Sequence, residues 1–312
     1  MDLLRLIPDG LLAQGALSAD WGRWLDRLPR LVADLVDEWQ LTPAGESRHG
    51  YCSLVVPVTD ADGVAGALKV TFDGDVESMH EGLALQRWGG EGAVRLRRAD
   101  PRRRALLLDW LAGPDLGDTW DVQACEIVGG LYAGLHVPAV PQLASVASYV
   151  ERWLDDLGVL GRDLPIPRRY VEQAIALGRN LIADPGGQVT VHGDLHYANV
   201  MADANGTWLA IDPKPMAGDP HYEPAPMLWN RMDELTGPLA VGSVRDGLRR
   251  RFHTLVDTGG LDHDRARDWV VVRTIINAGW TVQGARRAGR GLHPAEQDRI
   301  TRCVAITKAV QD

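Results

Sequence analysis

Between residues 51 and 111 the chain reads strand, strand, helix, strand, strand, and almost everything beyond Leu111 carries helical spacing. Strands gathered at one end and helices at the other restrict the chain to an α+β fold, since each kind of element buries its apolar face against near neighbours. The runs YCSLVVPV (51–58) and GVAGALKVTF (63–72) are rich in β-branched residues and are joined by TDADG, a turn signal, so they predict a hairpin. HEGLALQRWGG then predicts a helix ended by Gly89 and Gly90, and AVRLRRAD and RALLLDWL predict two further strands. Ahead of them, Leu25, Leu28, Leu31, Val32, Leu35 and Val36 recur at helical intervals, with Trp21, Trp24 and Trp39 interleaved as core.

The breaker-rich run AGPDLGDTW after Leu111 is the candidate hinge. It divides the chain into an N-lobe, 1–111, built of a helical segment and a small sheet with one helix, and a helical C-lobe, 112–312. Helices are expected over about 119–136, 145–157, 168–184, 223–235, 240–257, 263–283 and 293–310. The exceptions are QVTVHGDL, NVMAD and TWLAID, which read as short extended pieces around an acidic cluster.

That cluster carries the chemistry. Residues 192–199 read HGDLHYAN, with Asp194 and Asn199 five residues apart, and Asp212 follows eighteen residues after Asp194. Phosphoryl transfer needs a group that orients the attacking hydroxyl and oxygen ligands for Mg²⁺ on the nucleotide. Asp194 suits the first task, because a carboxylate is a hydrogen-bond acceptor at neutral pH. Asn199 and Asp212 supply the hard oxygens that Mg²⁺ demands. Nearby, His192 and His196 are expected to hold the loop through hydrogen bonds rather than to bind metal or act as bases.

Lys69 stands among apolar neighbours on the second strand of the hairpin, a costly place without an anionic partner. Nucleotide phosphates and Glu81 on the following helix are the expected partners, although Glu77 and His80 can present to the same space. No G-x-G-x-x-G precedes the lysine and no G-x-x-x-x-G-K-[ST] occurs; the corresponding turn is expected within TPAGESRHGYC, where Ser47, His49 and Gly50 are candidates for covering the phosphates. Backbone groups around Asp109, Trp110 and Leu111 are candidates for an adenine edge, a plain linker being the other reading. Asp219 and Glu223 would attract an amine-bearing substrate, or else serve as helix caps, for which Asp219 before Pro220 is well suited.

Composition narrows the partners. A net charge of −9 and a pI near 5.5 argue against nucleic acid and fit a cationic small molecule. Cys52, Cys125 and Cys303 are three and far apart, which predicts buried thiols in a reducing cytoplasm rather than disulfides or a zinc site. Charges and a proline interrupt the first apolar stretch, and no run of about 18 apolar residues follows, so neither a secretory signal nor a membrane helix is expected. A monomer or weak dimer is anticipated.

HGDLHYANV followed by WLAIDPKPMAGDPHYEPAPMLWNR resembles the aminoglycoside and hydroxyurea phosphotransferase family, including enzymes of streptomycin 6-phosphotransferase type. The similarity runs from about residue 48, through ALKV, RWGGEGAVRL and ALLLDWL, to DWVVVRTIINAGWTV. The resemblance implies a bilobal protein-kinase-like fold with an antiparallel-sheet N-lobe and a larger helical C-lobe. It further implies ATP and Mg²⁺ as cofactors, Asp194 as catalytic base, Asn199 and Asp212 on the metal, and Lys69 on the phosphates with Glu81 as partner. The acceptor would be a small hydroxylated amine of the aminoglycoside kind, or hydroxyurea. Pro215 is a departure, standing where the family pattern leads one to expect glycine. A sugar or amino-sugar kinase, such as a glucosamine kinase, is the alternative of the same class; a nucleotide-binding pseudokinase is the alternative of another, against which the intact set Lys69, Asp194, Asn199 and Asp212 speaks.

Overall fold

The computed structural model describes residues 6–160, 165–237 and 242–311. In chain order the helices are α1 (Asp9–Leu12), α2 (Ala19–Glu38), α3 (Glu81–Trp88), α4 (Asp121–Leu135), α5 (Val146–Val159), α6 (Arg168–Ala183), α7 (Ala225–Trp229), α8 (Val244–Gly259), α9 (His263–Arg287) and α10 (Pro294–Ala309). The strands are β1 (Thr42–Pro43), β2 (Arg48–His49), β3 (Ser53–Thr59), β4 (Ala65–Thr71), β5 (Leu96–Asp100), β6 (Ala105–Asp109), β7 (Ala144–Ser145), β8 (Val189–Val191), β9 (Val200–Ala202), β10 (Trp208–Ala210) and β11 (Met216–Gly218). Two compact units result: Met1–Pro114 with Met201–Lys214, and Asp115–Val200 with Pro215–Asp312.

In the first unit, Ser18 caps α2 by accepting the Trp21 N–H, and the helix runs through Pro29. Its buried stripe of Trp21, Trp24, Leu25, Leu28, Val32 and Leu35 packs with Leu54, Val56 and Val58 of β3 and Leu68 and Val70 of β4. The hairpin pairs Ser53 with Thr71 through Thr59 with Ala65, and Asp60 Oδ1 closes its turn by accepting the N–H groups of Asp62 and Val64. Strand order is β1-β3-β4-β6-β5 with β2 also beside β3, so β4 is interior. Because side chains alternate across a strand, Leu68 and Val70 face α2 while Lys69 faces the opposite side. Helix α3 lies on that opposite side, with Gly82 against Leu106, the cross-strand partner of Lys69. Gly89 ends α3 in the left-handed region at φ 60°.

In the second unit, α9 is buried on nearly every side and is the helix around which the others pack. Helices α5, α6 and α10 share its core through Leu154, Leu157, Tyr170, Ala174, Ile300 and Cys303. A three-stranded sheet, β7-β11-β8, sets Met216 between Ala144 and Val191 and leads directly into the loop that begins at His192.

Several expectations needed adjustment. The helix expected over 223–235 stops at Trp229, because Arg231 turns left-handed at φ 51° and lays its guanidinium on the carbonyls of Leu116 and Thr119. The helix expected from 240 starts at Val244 behind a capping box of Ser243 and Asp246; positions 240 and 241 lie outside the described residues. Strands β1, β2, β7 and β11 have two or three residues each, too few to show a period. Cys52 is half-buried rather than buried, while Cys125 and Cys303 are buried, and all three are free thiols. No described helix is long and apolar enough to cross a membrane.

Candidate active site

Lys69 is only 4% exposed, and an isolated ammonium at that depth would shed its proton rather than stay charged. Here it stays charged. Its Nζ donates at 2.6 Å to Glu81 Oε1, from the first turn of α3, and at 2.6 Å to Asp212 Oδ1. Burial pulls the Lys69 pKa down, but the charges of Asp212 and Glu81 outweigh it and hold the group above the ordinary lysine value. Glu81, 2% exposed, is pushed upward by burial, with Lys69 opposing and Asp212 reinforcing that push.

Asp212 reaches Lys69 because the chain turns left-handed there, at φ 54°, directly before Pro213. Non-glycine residues avoid that region, and aspartate is among the few that tolerate it. A second lysine arrives two residues later. Lys214 Nζ lies 3.6 Å from Asp212 Oδ1, donates to Ser78 Oγ at 2.6 Å and sits 3.4 Å from Asp75 Oδ2. Two cations and three carboxylates (Glu81, Asp212 and Asp75) thus share one half-enclosed region of the first unit. Sequence reading named Lys69, Glu81 and Asp212 but assigned nothing to Lys214, Asp75 or Ser78.

In the second unit, strand β8 delivers the chain into a loop held almost wholly by its backbone. Gly193 takes φ 82°, which glycine alone adopts freely, and its two peptide groups are gripped from both sides. Its N–H donates to Glu223 Oε2 at 3.2 Å, and its carbonyl accepts Arg273 Nη2 at 2.7 Å. The His192 N–H donates to Glu223 Oε1, and the Asp194 N–H to His192 Nδ1 at 3.3 Å. Asn199 spends its side-chain NH₂ on the Asp194 carbonyl at 2.8 Å, so its amide oxygen is the atom left for a hard cation. His196 accepts the Ala198 N–H and caps the Tyr197–Asn199 turn, with Nε2 3.9 Å from Asp194 Oδ2. Tyr197 OH donates to Asp121 Oδ1 at 2.6 Å, and the buried Arg251 bonds Asp121 Oδ2 at 2.8 Å, which ties the loop to α4 and α8.

Neither Asp219 nor Glu223 faces solvent. Asp219, 2% exposed, caps the Pro220–Tyr222 turn through the His221 N–H and accepts from Arg265 and Trp269. Glu223, 0% exposed, holds the two loop N–H groups described above. Burial would raise each carboxyl. For Asp219, bonds from His221, Trp269 and Arg265 outweigh burial; for Glu223, the His136 and His192 imidazoles and the Arg273 guanidinium do so. Both lie below the ordinary carboxylate range.

A measurable consequence follows from that direction. A carboxylate depressed in the folded state stabilises the fold at pH above its ordinary pKa of about 4.3, and the contribution fades as pH falls toward the lower folded value. Glu223→Gln keeps the volume but offers only one oxygen to two N–H donors, and is expected to cost about 1–3 kcal/mol near neutrality. The deficit should shrink in urea melts run below pH 4; a deficit that grows there contradicts the assignment.

Other expected residues are more dispersed. Ser47 Oγ is buried without a hydrogen-bond partner, in a segment whose neighbours Arg48 and His49 form β2. Asp109 ends β6, gives its N–H to the Arg95 carbonyl at 3.0 Å and has Arg97 Nε 3.4 Å from its carboxylate. Leu111 is buried beside it in sequence. Sequence reading also passed over Arg273, Arg251 and Asp121, whose work on the loop comes from residues far along the chain.

Among the described residues, no group of three His, Cys, Asp or Glu side chains is arranged to hold a metal unaided. Magnesium seldom asks for that, since one or two protein oxygens with substrate phosphates and water suffice. Asn199 Oδ1 and the Asp212 carboxylate are chemically suited to such a role.

The model of the aminoglycoside/hydroxyurea antibiotic resistance kinase family matches residues 38–284. The streptomycin 6-kinase of Streptomyces glaucescens is 35% identical over 289 residues, covering 90% of this chain and 92% of that protein. The hydroxyurea phosphotransferase of Kitasatospora aureofaciens is 35% identical over 268 residues, covering 83% of this chain and 75% of that protein. In structure, the macrolide 2′-phosphotransferase of Brachybacterium faecium superposes with a TM-score of 0.56 at 18% identity, covering 89% of this chain and 97% of that one. The fold is therefore kinase-like.

Proposed function

We propose, because the chain belongs to the aminoglycoside/hydroxyurea antibiotic resistance kinase family, that it is an ATP- and Mg²⁺-dependent phosphotransferase acting on a hydroxyl of a small polyhydroxylated amine. An aminoglycoside of streptomycin type is the leading acceptor, with hydroxyurea beside it. The observation that carries the reading is the buried Lys69, charged between Glu81 and Asp212, in a chain that also presents Asp194 and Asn199 on a backbone-fastened loop.

Within this reading residues 1–111 hold the nucleotide, and residues 112–312 hold the acceptor. Lys69 grips phosphate oxygens, and Glu81 keeps its ammonium charged and aimed. Asn199 and Asp212 would hold the metal, which when bound neutralises charge on the transferring phosphate. Asp194 accepts a hydrogen bond from the acceptor hydroxyl and takes its proton as that oxygen bonds the γ-phosphorus of ATP, while the bond from phosphorus to the bridging oxygen breaks and ADP leaves. Ser47 and the backbone at Asp109 and Leu111 are assigned to the nucleotide, Ser47 on the ground of its unpartnered hydroxyl. Asp219 and Glu223 are assigned to fastening the loop rather than to touching substrate, since their oxygens are buried and engaged.

Incubation with ATP, Mg²⁺ and streptomycin, other aminoglycosides, hydroxyurea or glucosamine, followed by mass spectrometry, tests the class and ranks the acceptors. One added phosphate on a streptomycin-type compound is the expected result. No phosphorylated product from any of them, with ATP demonstrably bound, would count against a phosphotransferase.

A further inference from the structure

Helix α9 is buried along almost its whole middle, and yet Asn277, Trp280 and Gln283 stay half-exposed. Asn277 and Trp280 lie four and seven residues beyond Arg273, on its stripe of the helix, and Arg273 is the residue that grips the Gly193 carbonyl. At 1.5 Å of rise per residue, Trp280 stands only about 10 Å along the axis from that grip. On α5 the matching stripe is Tyr149, Trp153 and Asp156, also half-exposed. The two stripes meet: Trp153 and Trp280 rings are 5.3 Å apart, Tyr149 and Trp280 6.4 Å, and Gln283 Nε2 donates to Asp156 Oδ2 at 3.1 Å.

Two indole donors are unspent at this spot. Trp153 Nε1 and Trp280 Nε1 are buried, with no hydrogen-bond partner. Buried donors normally find an acceptor, and an unbonded one is costly. No hydrogen bond to the Asn277 side-chain amide is seen among the described residues either. The ring faces suit cations, as Tyr149 shows by carrying the Arg152 guanidinium at 5.5 Å.

We propose that Tyr149, Trp153 and Trp280, with Asn277 and the Asp156 carboxylate, form the wall that binds the acceptor, and that the ligand it takes is a hydroxylated ring bearing guanidinium or ammonium groups. The inference rests on the phosphotransferase reading above and deepens it by assigning the residues that receive its acceptor. Ring faces take the cationic groups and the apolar face of the ring, indole N–H groups donate to hydroxyl oxygens, and Asp156 adds charge complementarity.

The test combines binding with kinetics. Streptomycin is titrated by calorimetry into the wild-type protein and into Trp280→Leu and Trp280→Phe, with the uncharged polyol inositol as contrast. Trp280→Leu is expected to raise Kd and acceptor KM about tenfold while the ATP KM holds, Trp280→Phe less, and inositol is expected not to bind. An unchanged acceptor KM in a folded Trp280→Leu protein, or equal binding of inositol and streptomycin, overturns the wall. Equal rises in both KM values also overturn it, since they would mark a structural role. Because calorimetry needs no turnover, streptomycin binding that weakens in Trp280→Leu, with no phosphorylated product from any of the acceptors above, would refute the phosphotransferase reading and leave the wall standing; phosphorylation with an unchanged KM would do the reverse.

Discussion

Asp194→Asn is expected to lower turnover by about 10²–10⁴-fold, the range a positioned proton acceptor contributes, while nucleotide affinity stays close to wild type. The substitution is clean for a structural reason. The loop is fastened through the backbone of residue 194, whose N–H goes to His192 and whose carbonyl takes the Asn199 amide, and neither bond involves the side chain being changed. Asparagine preserves the shape and loses only the charge and basicity. Steady-state kcat, compared with ATP Kd from calorimetry, separates the two effects. Turnover within a few-fold of wild type for every phosphorylated acceptor would remove Asp194 from the chemistry.

How much of this was legible beforehand depended on the range of each interaction. The hairpin and α3 are local features; Asp212 is legible from its spacing after Asp194, Lys69 from its apolar strand, and Glu81 as one of three candidate partners beside the following helix, while the bond from Lys69 to Asp212 is not among the expectations. The structure joins all three by direct hydrogen bonds. Lys214 belongs to no motif spacing, but composition carries a signal for it. The chain holds 33 cationic side chains, and its lysines are Lys69, Lys214 and Lys308 alone. Where arginine is the default cation, a lysine marks a place that wants a compact point charge, and two of the three meet at Asp212. Asp219 and Glu223 were harder. A carboxylate in a loop looks the same in sequence whether it faces solvent or two buried N–H groups, and the deciding partners, Arg265, Trp269 and His192, come from elsewhere along the chain. The break at Arg231 was hidden for the same reason, its guanidinium being spent on carbonyls more than a hundred residues away in sequence.

Lys69→Met should have the largest combined effect. Removing one member of a buried ion pair leaves its partner uncompensated, at a cost of about 3–5 kcal/mol. Glu81 is the stranded group, and its carboxyl is already pushed upward by burial; without Lys69 it rises further. The sign of the pH dependence then follows. A carboxyl whose folded pKa lies above its unfolded value contributes stability that is complete below the unfolded value and is lost as pH rises through the folded one. The stability deficit of Lys69→Met should therefore be small near pH 4, grow as pH rises, and level off once Glu81 is ionised in the folded protein too. Lys214, 3.6 Å from Asp212, should spare that carboxylate the same fate. The double variant Lys69→Met/Glu81→Leu replaces the buried charges with apolar groups and should recover most of the stability. Turnover should not recover, remaining about 10²–10³-fold down, because a preorganised cation on the phosphates is still missing. Urea melts across pH and kcat/KM for ATP measure both arms. Activity that returns along with stability would mean that Lys69 merely supports the fold, and the nucleotide assignment in the first unit would have to be withdrawn.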